Sequence, residues 1–206
     1  MRLSIRRWSH GAVWRPAIET TVATVGAALL TRILLDAGGP WTSLIPAVWV
    51  AVPVWAVASN RVRAREAGFA VEAWTRGWRW LLVAVLAILV PFAALKRADV
   101  LPGSLGGAPL DIEDALFQLL LVVLPEEVFF RGYVQSRLGK APAGRVYRIL
   151  FTAGLFALAH VVVEAGWIRV AVFLPGVVMG WLRERTGGLL APAGFHWLAN
   201  LTWAWA

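Results

Sequence analysis

Seven long apolar stretches, at about 17–35, 43–59, 78–95, 112–137, 145–163, 167–182 and 188–205, fill most of this 206-residue chain. A helix needs roughly 17 to 25 apolar residues to cross a hydrocarbon layer of about 30 Å. Most of the stretches meet or approach that length; the sixth is short and contains Pro175. Pieces of this kind, joined by short polar connections, predict an all-α fold: a polytopic integral membrane helix bundle of about seven transmembrane helices. Only 16% of the residues are charged and 59% are apolar, against about 25% charged in soluble domains. That composition argues against a soluble enzyme. With no Cys, disulfides, a thiolate nucleophile and a zinc site built on sulfur are all excluded. No internal repeat or linker divides the chain, so residues 1–206 read as one membrane domain, with N-terminal helices over 1–111 and helices bearing polar motifs over 112–206.

The net charge of +8 has two common causes, nucleic acid and anionic lipid, and its distribution points to the second. Arg2, Arg6, Arg7 and Arg15 precede the first stretch; Arg61, Arg63, Arg65, Arg76 and Arg79 lie in or beside the second connection. Arg137, Lys140, Arg145 and Arg148 mark the fourth connection, and Arg183 and Arg185 the sixth. Fifteen of the 20 basic residues thus fall on alternate connections. The other connections hold Lys96, Arg97 and Arg169 beside Asp36, Asp99, Asp111, Glu113, Asp114 and Glu164. By the positive-inside bias this predicts a multi-pass protein of the cell membrane with a cytoplasmic N-terminus and an external C-terminus. The expected partner of the basic loops is the lipid bilayer, with no nucleic acid. No small-residue cleavage site follows a short apolar core, so the first stretch reads as a retained helix. Trp8, Trp14, Trp41, Trp74, Trp78, Trp80, Trp167, Trp203 and Trp205 fall near span ends, where an amphipathic ring suits the headgroup layer. The Ala, Arg and Trp richness is compatible with a GC-rich bacterial genome, which would make the membrane a bacterial inner membrane.

An ionisable side chain inside a span costs about 2.5 to 3.5 kcal/mol on insertion scales, so each one asks for a function. Glu126, Glu127, Arg131, His160 and His196, with Asn200, cluster in the last four stretches. Glu19 and Arg32 lie near the ends of the first stretch and read as structural. Glu127 and Arg131 are spaced for an ion pair on one helix face. Glu126 is about 100° round the helix from Glu127 and must find its partner on another helix. Pro125 lacks an N–H and is expected to kink the span or start a new segment there. His196 and Asn200 share a face of the last stretch. Counting about 1.5 Å of rise per residue from the cytoplasmic ends puts Glu126 roughly 16 Å deep, His160 roughly 18 Å, His196 roughly 12 Å and Asn200 roughly 18 Å. The shared depth predicts one constellation near the midplane.

Three chemistries use these residues. Glu126 could take a proton from water that His160 positions, while N–H groups of His196 and Asn200 hold the oxyanion of a tetrahedral intermediate. Two His and a Glu could instead hold a catalytic zinc, although no His-Glu-x-x-His motif is present. A proton relay for transport is the third, without the inverted repeats common in transporters. Covalent acyl transfer lacks a nucleophile, since no Gly-x-Ser-x-Gly elbow occurs and Ser136 sits at the basic end of the fourth stretch.

Glu126-Glu127-Val-Phe-Phe-Arg131, Phe156-Ala-Leu-Ala-His160 and His196-Trp-Leu-Ala-Asn200, in that order on successive late helices, resemble the CAAX protease and bacteriocin-processing (Abi) family of intramembrane endopeptidases. The resemblance covers about residues 115–205. It implies a peptide hydrolase acting on a membrane-associated protein or peptide, with Glu126 as general base and His160 as its water-activating partner. It further implies His196 and Asn200 as oxyanion stabilisers, Glu127 and Arg131 as supporting residues, and a glutamate-type reaction with no metal and no cofactor. A zinc-dependent form of the same site and a non-catalytic scaffold or immunity protein are the competing readings. Oligomeric state has no signal in the sequence.

Overall fold

The computed structural model describes residues 11–98, 100, 111–140 and 144–205. The expectations for Arg2, Arg6, Arg7, Trp8 and Asp99 lie outside the described residues, as do the side chains of Trp74, Arg76, Trp167 and Trp205. Among the described residues all regular structure is helical, and each apolar stretch forms one rod. These are α1 (Gly11–Ala37), α2 (Ile45–Ala58, after a 3-10 turn Gly39–Leu44), α3 (residues 71–97), α4 (112–138), α5 (Arg145–Val163), α6 (167–186) and α7 (Leu190–Trp205). The protein is an all-α membrane helix bundle.

Among the described residues, four helical segments are long and apolar enough to cross a membrane: Trp14–Ala37, Gly39–Ala58, Gly77–Arg97 and Arg145–Val163. The other rods depart from that type for visible reasons. Helix α4 carries both glutamates and Arg131 in its middle. Helix α6 is interrupted at Val172, between a short Trp167–Ala171 turn and the longer Phe173–Thr186. Pro175 falls in the first turn of that second piece, where its missing N–H costs no helical bond. The piece runs past the expected end at 182, to a left-handed Gly187 with φ 72°. Helix α7 has 16 residues. Large apolar side chains face outward, among them Val22 at 66% exposure and Leu174 at 68%. Such a surface suits lipid.

Helix α4 occupies the core. Its Phe129, Phe130, Tyr133, Val134 and Leu138 are buried with Trp49 of α2, Phe156 of α5, Met179 and Leu182 of α6 and Phe195 of α7. Close approach around it depends on small residues. A Cβ on Gly176 would lie 3.2 Å from Ala153 Cβ, and one on Gly180 3.2 Å from Ile149 Cγ2, so α6 reaches α5 through a Gly-x-x-x-Gly face. Helix α1 packs against α5 and α2 and buries Ala17, Thr20, Thr24, Ala27, Ala28 and Thr31. The hydroxyls of Thr20 and Thr24 donate back to Pro16 O (2.8 Å) and Thr20 O (2.7 Å), which hides them within the helix.

The two ends of the bundle differ. At one, Glu184 receives Arg148 Nη2 at 2.7 Å and Gln135 Nε2 at 3.0 Å, and Glu19 receives Tyr133 Oη at 3.0 Å and Arg137. The arginine-rich 59–70 connection is tied there too: Ser136 Oγ donates to Glu66 O at 2.8 Å, and Lys140 donates to Arg61 O. At the other end Arg32 bonds Asp36 Oδ2 at 2.8 Å and Val163 O at 3.1 Å, and Lys96 Nζ donates to Trp203 O at 2.7 Å. The alternation of connections in the sequence therefore corresponds to two physical ends. Glu19 and Arg32, read as structural, each join α1 to a neighbouring helix.

Candidate active site

The site begins with a defect in a helix. Pro125 cannot donate to the carbonyl one turn earlier and its ring crowds that carbonyl. Helix α4 absorbs this without breaking: it widens to i→i+5 bonding over Gln118–Val123, returns to α geometry for Leu124–Glu127, and widens again over Val128–Val134. Leu124 N–H reaches Leu119 O and Gln135 N–H reaches Phe130 O. A new α segment starts at Leu124 with Pro125 in its first turn, as expected, inside a continuously helical stretch that has a wide turn on either side of the paired glutamates. Wide turns of this kind recur at functional sites.

Glu126 and Glu127 then face different surroundings, as their 100° offset requires. Glu127 is fully buried, and its Oε1 accepts from Arg131 Nη1 at 2.8 Å and from His196 Nδ1 at 2.9 Å. Arg131, also fully buried, sends Nη2 to Gly176 O at 3.2 Å and lies over the Phe156 ring at 4.8 Å. Arg183 of α6 donates Nε to Arg131 O at 3.3 Å. This side of α4 is sealed. The expected Glu127–Arg131 pair is present, and it extends to a third member on α7.

Glu126 instead lines a cavity of about 200 Å³ with His160, Thr31, Trp49, Glu164 and Arg169 among its walls. Its Oε2 is buried and has no hydrogen-bond partner. His196 Nε2 approaches that oxygen at 3.8 Å, beyond hydrogen-bond length. The partner expected on another helix is thus a histidine of α7, with water space on the opposite side. His160 is held by its Nδ1 at 2.9 Å from Phe156 O. A carbonyl only accepts, so Nδ1 carries the proton and Nε2 of a neutral ring is left as an acceptor. The Phe156 ring touches both imidazoles, tilted against His160 at 4.4 Å and edge-to-face with His196 at 5.6 Å.

The six residues singled out from the sequence fall into three places. Glu126 and His160 share the cavity; Glu127, Arg131 and His196 form the sealed cluster behind it, with His196 facing both glutamates. Asn200 lies further along α7 and donates Nδ2 to Gln118 Oε1 at 3.3 Å. The expected pairing of His196 with Asn200 is therefore divided, one tied to Glu127 and the other to Gln118. Two contributors escape a reading confined to ionisable groups, Gln118 and Thr31. Both are uncharged polar side chains inside apolar stretches, and that is the signal that finds them. Each histidine has Nδ1 bonded to an oxygen, and among the described residues no three His, Asp or Glu side chains gather at one point.

Residues 109–202 match the family described as type II CAAX prenyl endopeptidase, Rce1-like. A relative in Bacillus subtilis (strain 168), the uncharacterized protein YpbD, is 28% identical over 135 residues, which is 62% of this chain and 66% of YpbD. No solved structure matches. The Rce1-like segment contains α4 to α7 up to Thr202, and with them all six motif residues. Helices α1 and α2, which supply Thr31, Ile45 and Trp49 to the cavity, lie outside it.

Proposed function

We propose that this protein is an intramembrane endopeptidase that hydrolyses a peptide bond of a membrane-associated protein or peptide, with Glu126 as general base and His160 as its partner at the attacking water. The observation that supports it most is the cavity that Glu126 and His160 both line: a carboxylate and a histidine whose Nε2 is left as an acceptor, inside an apolar bundle. Water in that space gives a proton to Glu126 while its oxygen attacks the peptide carbonyl carbon, and the carbonyl π electrons move to its oxygen. Collapse of the tetrahedral intermediate breaks the C–N bond, and the proton on Glu126 passes to the leaving nitrogen.

His196 and Asn200 are the oxyanion donors in this reading. A cationic His196 donates from both nitrogens, and the Asn200 amide has two N–H groups, one of which goes to Gln118. Glu127 and Arg131 fix α4 and α7 against each other. The chain crosses the membrane repeatedly with the arginine-rich end in the cytoplasm, which puts Glu164 and Arg169, at the cavity wall, toward the opposite side.

The test compares the membrane proteomes of cells carrying the wild type and Glu126→Gln at equal expression. Membrane proteins or peptides found whole in the variant and cut in the wild type are expected. Identical proteomes would instead favour a non-catalytic scaffold. Persistence of cleavage by purified protein in a strong chelator, with metal analysis of the active fraction, separates the glutamate reaction from a zinc form.

A further inference from the structure

A second cavity, of about 410 Å³, lies between α2, α4 and the 59–70 connection and shares no lining residue with the cavity at Glu126. Its long wall is α2 from Val50 to Ala58, which makes it roughly 12 Å long at the rise of a helix. Val128 and Gly132 of α4 form the opposite wall. The connection closes one end: Val62 and Ala67 are buried there, and a Cβ on Gly132 would lie 3.3 Å from Ala67 O. Toward the outside the lining ends in exposed apolar side chains, Val54 and Phe69. Every lining residue is apolar except Tyr133, whose hydroxyl donates to Glu19 at 3.0 Å.

That lining selects among occupants. A peptide brings N–H and C=O groups that are costly when unpaired, and the cavity offers no free side-chain partner for them. A helix, about 10 Å across, needs roughly twice this volume over the same length. A purely apolar space does not hold water. A hydrocarbon chain is long, narrow and free of polar groups, and it meets every wall on equal terms.

The rim adds a charge. The connection carries Arg61, Arg63 and Arg65 against one acid, Glu66, and Lys140 is drawn to it by its bond to Arg61 O. Val62 turns into the cavity while the next side chain, Arg63, is 83% exposed. Arg61 lies 4.5 Å over the exposed ring of Trp55, an aromatic suited to the headgroup layer. Basic segments just beyond a transmembrane helix attract anionic headgroups. An apolar slot with cations at its mouth complements a molecule with a hydrocarbon tail and an anionic head.

We propose that this cavity holds one acyl chain of an anionic phospholipid, whose phosphate meets Arg61, Arg63 and Lys140 while its tail runs along α2 onto Val128 and Gly132. The bound lipid packs against the wide turn Val128–Val134 that carries Arg131, so it braces the core helix. The site stands apart from the chemistry at Glu126 and holds whether or not the protein is a hydrolase.

The test uses the purified full chain in phosphatidylcholine liposomes with a trace of phosphatidylglycerol that has a photoreactive group at the end of one acyl chain, and labelled residues are mapped by mass spectrometry. Label is expected to concentrate on residues 50–58 and 128–133, ahead of the outward-facing Val22 and Leu174. The same reactive chain on phosphatidylcholine should not concentrate there. Ala58→Phe, at an exposed position in the lining, fills the slot and should remove the concentration of label; should it fail to fold, Val54→Phe takes its place. Arg61→Gln with Arg63→Gln should lower the preference for phosphatidylglycerol by about 5- to 25-fold, at about fivefold for each cation. Even labelling of all outward-facing helices, or label unchanged by the filling variants, overturns the site. Equal labelling by the two lipids overturns the anionic head. An acyl-anchored peptide that displaces the probe at lower concentration than phosphatidylglycerol assigns the cavity to a substrate anchor and overturns the proposal as well.

Discussion

Glu126 and Glu127 are neighbours on one helix and the same residue type, yet one borders an open cavity and the other is sealed. Behind α4, Glu127 shares Oε1 between Arg131 and His196 in a space with no exposure. In front, the Glu126 side chain lines about 200 Å³ of space, while its Oε2 is turned to His196 Nε2 at 3.8 Å; Oε2 of each glutamate is buried without a hydrogen bond. A buried ion pair contributes little net stability, but losing one member leaves an uncompensated charge and costs several kcal/mol. A buried unpaired carboxylate is expensive and persists where something uses it. Under the proposed function the pair of glutamates separates two tasks: Glu127 ties α4, α6 and α7 together through Arg131 and His196, and Glu126 serves the chemistry.

That division predicts opposite behaviour for similar substitutions. The largest effect is expected for Glu126→Gln, with cleavage falling by about 10²- to 10⁴-fold, the usual contribution of a general base, at an unchanged melting temperature. Arg131→Met should be the reverse in kind. It leaves Glu127 buried without its cation and is expected to cost about 3 to 5 kcal/mol, read as lower thermal stability in detergent and less folded protein. Gly176→Val forces a side chain into the 3.2 Å approach of α6 to Ala153 and should cost about 1 to 3 kcal/mol, as overpacked sites do. The smallest change is expected for Asp36→Asn. Its partner Arg32 is half exposed and also bonds Val163 O, so melting temperature and cleavage should both stay at wild-type values. A shift in cleavage there would mean that the Arg32–Asp36 pair shapes the cavity mouth.

Much of this was legible in the residues. Seven apolar stretches marked seven rods because hydropathy is summed over many positions and survives local detail. The Glu127–Arg131 pair followed from helical spacing, and the need of Glu126 for another helix from its 100° offset. What stayed hidden depends on contacts far apart in the chain. Pro125 marked where a new helical segment starts in α4, but the two wide turns that flank Leu124–Glu127 have no signal in the local residues. His196 and Asn200 share a helix face in the sequence, but which groups they meet depends on Glu127 and Gln118, 69 and 82 positions away.

The most direct measurement places Glu126→Gln and Glu127→Gln side by side in liposomes, reading peptide cleavage and thermal unfolding on the same preparations. Glu126→Gln is expected to abolish cleavage at wild-type stability, and Glu127→Gln to lower stability. Retained cleavage by Glu126→Gln, or a loss of stability equal in the two variants, would contradict the separation of the two glutamates.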